Sequence, residues 1–152
     1  GVALLRTGRF EEAIACYRDM AAIRPDSPEI LVNLGVALGR SGRLDEAVQV
    51  LGEAIRLKPD WSRPRTELAG AYMAQERYQD AVRVYRECVE GDPRNPDPQW
   101  LLAQALAAAG EKDTARDAVT RALELAAGIP GFPPERIDEM RRHEESYRRT
   151  AD

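Results

Sequence analysis

With 43% hydrophobic and 32% charged residues, this chain of 152 residues has the balance of a globular protein, which excludes a disordered one. Its net charge of −4 argues against nucleic acid as a partner, because phosphates select basic surfaces. No apolar run approaches the roughly 20 residues that cross a bilayer, so these residues do not insert directly into a membrane, and two cysteines are too few for a disulfide framework.

The chain opens on Gly1 with a helical pattern already under way, so it reads as a piece of something longer. These residues do not define a compartment, and a cytoplasmic location is the default expectation. Residues 1–27 hold the end of one helix, a turn at Gly8, and the helix EEAIACYRDMAAIRPDS, closed by Pro25. Residues 28–61 hold two helices. Leu31, Leu34, Gly35 and Leu38 follow i, i+3, i+4, i+7 spacing, and Leu44, Ala47, Val48 and Leu51 repeat it, continued by Ala54 and Ile55. Between them Gly42 is free to take the left-handed conformation that ends a helix. Asp45 and Glu46 suit the positive start of the next helix, and Pro59 closes it. Residues 62–95 repeat the pair, with QDAVRVYRECVEGDPRN as the second helix, and residues 96–127 repeat it again. Ser27 and Asn95, each followed by a proline, are expected N-caps. The GIPGFPP stretch, residues 128–134, breaks the pattern as a linker. Residues 135–152 then form a capping helix with Ile137, Met140 and Tyr147 on one stripe and charges elsewhere.

The repetition has one period. Ala13, Ala47, Ala81 and Ala115 are spaced by 34, as are Pro25, Pro59 and Pro93, and Leu34, Leu68 and Leu102. Gly1 and Gly35 share a register with Ala69 and Ala103, and Gly8 and Gly42 share one with Gly110. Small residues at fixed places let helices approach to about 8–10 Å. One hairpin cannot bury its apolar face, so repeats stack and the last needs a cover with a polar outer side. Cys16 and Cys88 fall in apolar-periodic helix stretches and are expected to pack as small hydrophobes.

The residues 28–61 resemble the tetratricopeptide repeat closely, and its glycine, alanine, tyrosine and proline slots recur over residues 1–127. Departures are Arg65 in an aromatic or leucine slot, Glu76 in a glycine slot, and Ala127 for the last proline. In addition, Lys112 stands where Phe10, Leu44 and Tyr78 stand earlier, and Trp100 sits one residue off the tryptophan slot. The resemblance implies an all-α fold, a right-handed superhelical stack of antiparallel helix pairs forming an α-solenoid. It would hold three and a half repeats (1–27 partial, 28–61, 62–95, 96–127) and the C-terminal capping helix. It also implies a concave groove, lined by the first helix of each pair, that binds a protein or peptide partner. Opposite the buried stripe of the second repeat lie Glu29, Val32, Val36 and Arg40; the corresponding residues are Arg63, Thr66, Gly70 and Ala74, with Met73 nearby, in the third repeat, and Asp97, Trp100, Gln104 and Ala108 in the fourth. Val32, Val36, Met73 and Trp100 would make an apolar floor with Arg63 as anchor; the other reading of Trp100 is packing against the next repeat. One subclass of the family clamps a C-terminal carboxylate with a lysine, asparagine and arginine set. Asn33 fits one slot, but Glu67 stands where an arginine is needed, and that reading is rejected.

Chemistry leaves little trace. His143 stands alone on a charged helix, where a solvated surface role is expected. The pairs Glu11-Glu12 and Asp45-Glu46 recur at matching helix starts, so dipole complementation explains them. Neither zinc spacing nor a phosphate loop nor a nucleophile elbow is present, so no catalytic, cofactor or metal residue is assigned. Of 22 basic residues only Lys58 and Lys112 are lysine, which reads as a compositional habit because the arginines are spread along the chain. The expectation is a non-catalytic interaction scaffold. The alternative is the repeat-bearing C-terminal region of a larger enzyme, such as a glycosyltransferase, that positions protein substrates. A homo-oligomer is compatible with both.

Overall fold

Proline and glycine punctuation sets the helix limits along the chain. The computed structural model describes residues 2–149, and among them it has nine helices and no strand. They are α1 (Val2–Arg6), α2 (Phe10–Ile23), α3 (Pro28–Arg40), α4 (Leu44–Leu57), α5 (Ser62–Ala74), α6 (Tyr78–Gly91), α7 (Pro96–Ala108), α8 (Lys112–Ala127) and α9 (Pro134–Arg149). The expected start of the array at Gly1, and the last residues 150–152 of the expected cap, lie outside the described residues.

Two local devices repeat with the period. At the end of α2, α4 and α6 the residue before the proline (Arg24, Lys58 or Asp92) swings out to φ −134°, −140° and −143°. A following proline disfavours helical backbone there, and its ring has no N–H to continue the ladder. In the fourth repeat Ala127 replaces that proline, and α8 is longer, 16 residues against 14 in α2, α4 and α6. The second device is the turn after each first helix. Gly42 N–H bonds Gly39 O and Arg43 N–H bonds Leu38 O, the paired bonds that close a helix through a left-handed residue. Gly8 and Gly110 make the same turn, with φ 74° and 86° beside 83° at Gly42. Glu76 takes the fourth place at φ 59°, a side chain in a glycine conformation.

The caps divide. Asn95 accepts a hydrogen bond from Asp97 N–H at 3.0 Å, as an N-cap should. Ser27 occupies the N-cap of α3, but its hydroxyl donates to Glu29 instead. At three of the four second helices, α2, α4 and α6, an arginine precedes the first turn and pairs with a carboxylate three residues on: Arg9 with Glu12, Arg43 with Glu46 at 2.7 Å, and Arg77 with Asp80 at 2.7 Å.

Burial follows the period. Ala13, Ala47, Ala81 and Ala115 are all fully buried. Tyr17, Leu51, Tyr85 and Val119, again 34 apart, are the large partners on the same helices. Gly35 has a steric reason: a Cβ there would lie 2.6 Å from Leu51 Cγ and 2.7 Å from Cδ2. Helices α3 and α4 therefore meet at a point where no side chain fits. Cys88 is buried as expected, whereas Cys16 is only half-buried.

The helices form two compact units, α1–α5 and α6–α9, with the boundary at Glu76–Arg77. In the first unit α3 lies against α2, α4 and α5. In the second, α7 packs between α6 and α8, and α9 covers α8. Met140 is the fully buried residue of α9, with Ile137 and Tyr147 half-buried beside it, which is the stripe expected of the cap.

Candidate functional site

Helix α3 buries seven of its thirteen residues because neighbours flank it on three sides. What remains accessible is a narrow strip that includes Val36, Gly39 and Arg40. Helix α5 presents Gly70 and Ala74 to solvent. Between these strips and the start of α4 lies a cleft of ≈ 160 Å³. Val36, Gly39 and Arg40 form one wall, Glu67, Gly70 and Ala74 the other, and Leu44 and Leu51 reach its floor. A Cβ at Gly39 or at Gly70 would meet nothing within 4 Å, so the two glycines leave the cleft open where side chains would close it.

At the N-terminal ends of α3 and α5, away from the cleft lining, the charges are ordered. Arg63 Nη2 donates to Asn33 Oδ1 at 3.4 Å, joining the first turn of α5 to α3. Lys58 pairs with Glu29 at 3.7 Å and lies 5.2 Å from the centre of the Trp61 ring. The Tyr17 hydroxyl is buried with no hydrogen-bond partner; burial pushes the phenol above its ordinary range, and the charge of Arg63 pulls the other way.

The residues expected in a groove divide into three groups. Val36 lines the cleft, Arg63 is exposed at α5's first turn, and Thr66 and Met73 are half-buried on α5 outside the cleft lining. Gln104 is half-buried on α7. Two expectations are corrected. Val32 is fully buried, because α3 is enclosed on three sides and has no broad outer face. Trp100 is 9% exposed and is not a free anchor. The guanidinium of Arg136 lies 5.2 Å from its ring centre and His143 meets it edge-on at 6.2 Å, so α9 covers it. His143 is corrected with it: rather than solvated, it is half-buried, with Nδ1 3.2 Å from the Tyr147 hydroxyl.

Sequence reasoning missed Gly39, Leu44 and Leu51 as cleft residues. Gly39 contributes the absence of a side chain, and its one signal is a place three residues after Val36. Leu51 was legible only as core. Among the described residues no group of three or more His, Cys, Asp or Glu could hold a metal ion. No described helix is long and apolar enough to cross a membrane.

A search of curated proteins finds no match to the chain. Solved structures do match. The type III secretion translocator chaperone SycD of Yersinia enterocolitica is similar at a TM-score of 0.75 and 25% identity, over 84% of this chain and 96% of that one. A MamA structure from Desulfovibrio magneticus RS-1 is similar at 0.75 and 21% identity, over 98% of this chain and 84% of that one. PcrH, of Pseudomonas aeruginosa, in complex with the chaperone-binding region of PopD, is similar at 0.73 and 21% identity, over 82% of this chain and 92% of that one. The model of the tetratricopeptide repeat matches residues 4–71 and 72–128, the greater part of the sequence. The 34-residue period, the left-handed turns and the alanine contacts are that repeat's architecture, and the chain belongs to the tetratricopeptide-repeat family.

Proposed function

We propose that the chain is a non-catalytic protein-interaction module that holds a short segment of a partner protein in the cleft between α3 and α5. The observation that carries this reading is the cleft itself, apolar at its floor, with Gly39 and Gly70 leaving room for a backbone to come close. Arg40 at its rim and Arg63 at the other end of α5 offer guanidinium groups that fix direction by hydrogen bonding. Aliphatic contact on the floor supplies affinity and the arginines supply register. The PcrH complex, in which a protein of similar fold accommodates a region of its partner, supports a peptide-sized occupant.

The experiment is a selection of displayed peptides against the whole chain, followed by amide-shift mapping of the tightest binder. A site this small supports roughly micromolar binding, about −8 kcal/mol. The expected footprint covers Val36, Gly39, Arg40, Gly70 and Ala74. A footprint that leaves α3 and α5 untouched, or a selection that returns no binder, counts against the reading.

A further inference from the structure

Helix α9 is held by a short set of contacts. Of its 16 residues only Met140 is fully buried. Ile137 and Tyr147 are half-buried beside it, and two polar anchors join them: Arg136 Nη2 lies 2.9 Å from Asp97 Oδ1 as an ion pair, outside hydrogen-bonding geometry, and the Thr120 hydroxyl donates to Glu144 Oε1 at 2.9 Å. Arg136, Met140 and Glu144 are four residues apart and so follow one face of the helix. The fit has a fault. Trp100 is nine-tenths buried, yet its indole N–H has no acceptor. An orphaned donor carries the full cost of leaving water. His143, whose ring meets Trp100 edge-on, does not take the proton.

We propose that the face of α7 and α8 beneath α9 is an exchangeable helix-binding seat, with α9 its resident occupant and an amphipathic helix of a partner protein its competitor. The seat dictates the chemistry of that helix. The carboxylate of Asp97 and the face of Trp100 call for a guanidinium, as Arg136 supplies. Four positions on, the hole that Met140 fills takes an unbranched apolar residue. Four further on, the Thr120 hydroxyl donates to a carboxylate. At the place of His143 an asparagine or glutamine carbonyl accepts from the indole N–H, a bond α9 does not make. A partner with this pattern that also matches the half-buried places of Ile137 and Tyr147 makes one hydrogen bond more than α9. The 128–133 segment before α9, with Pro130, Pro133 and Gly131 at φ 77°, is the tether on which α9 leaves. This seat is separate from the α3–α5 cleft, and either stands without the other.

The test uses the full chain and, as probe, a fluorescent peptide with the sequence of Pro134–Arg149. In the Met140→Asp chain a charge enters the apolar hole, α9 detaches and the seat is vacant. The probe then binds one-to-one, at least about tenfold tighter than to the parent, whose own α9 competes. A probe carrying His143→Gln binds tighter still, and one carrying Arg136→Glu loses about tenfold or more. A Met140→Asp chain that binds no probe, or that loses the helices α6–α8 along with α9, overturns the proposal. Hydrogen exchange on the unaltered chain decides it independently. Amides of α9 exchange about 100-fold or more faster than those of α7 and α8 if α9 opens alone. Equal protection of all three means that α9 is integral core.

Discussion

Glu76 holds φ at 59° in a turn whose counterparts are Gly8, Gly42 and Gly110. A left-handed conformation costs an L side chain about 1–2 kcal/mol that glycine does not pay. Glu76→Gly is therefore expected to stabilise the chain by about 1 kcal/mol, after glycine's own entropy loss is subtracted. Urea unfolding measures it, and a lower midpoint would show that the Glu76 side chain makes up the strain elsewhere. Gly35 poses the opposite case. Its missing Cβ would stand 2.6 Å from buried Leu51, so Gly35→Ala should cost about 1–3 kcal/mol as the α3–α4 contact is forced apart. Gly70 sits in an equally helical setting with open space around it. Gly70→Ala should therefore gain about 0.5–1 kcal/mol from helix propensity alone. Thermal melts of the two variants should move in opposite directions.

Among elements, three of the four second helices, α2, α4 and α6, share an arginine just before their first turn and a carboxylate three residues later. The Arg43 guanidinium, hydrogen-bonded to Glu46, holds that carboxyl below its ordinary value of 4.5. Glu12 is lowered by Arg9, and Asp80 by Arg83 first and then Arg77. A carboxylate whose folded value is depressed stabilises the fold above its unfolded value and loses that contribution as pH falls through the folded one. Stability is thus expected to be flat from neutral pH down to the ordinary glutamate value of 4.5 and to fall below it. Because these groups are exposed, salt should shrink the loss. Melting midpoints between neutral pH and pH 3, in low and high salt, check both statements; a midpoint that rises on acidification contradicts them. The helix boundaries were legible because glycine and proline act locally, through φ and a missing N–H. The stripe of α9 was legible because Met140 with its half-buried neighbours obeys a simple period. Helix α3 was read as having one buried face, and periodicity carries no information about how many neighbours a helix has. Val32 was misplaced for that reason. Trp100 was left open between groove and core because what covers it, Arg136 and His143 on α9, lies more than 30 residues away and is charged or polar, which no apolar pattern reveals.

For the molecule as a whole, the 34-residue period was enough to read an all-helical repeat protein, since five residue registers carry small, branched or cyclic residues at the same places for the same packing reasons. The site was legible only in part. Val36, Arg40, Gly70 and Ala74 were placed opposite a buried stripe and line the cleft, Arg63 was placed there and does not, and Gly39 was missed because its signal is an absence. The absence of a side chain at Gly70 makes the central claim separable from stability. The most direct measurement is a titration of the display-selected peptide against the parent and Gly70→Leu, with a thermal melt of each. Leucine fits the open space at Gly70, improves the helix and fills the cleft. The expected result is a melting temperature equal to or above the parent's, together with about a thirtyfold loss of affinity, roughly 2 kcal/mol. A Gly70→Leu chain that is fully folded and binds the peptide as tightly as the parent would contradict a binding site between α3 and α5.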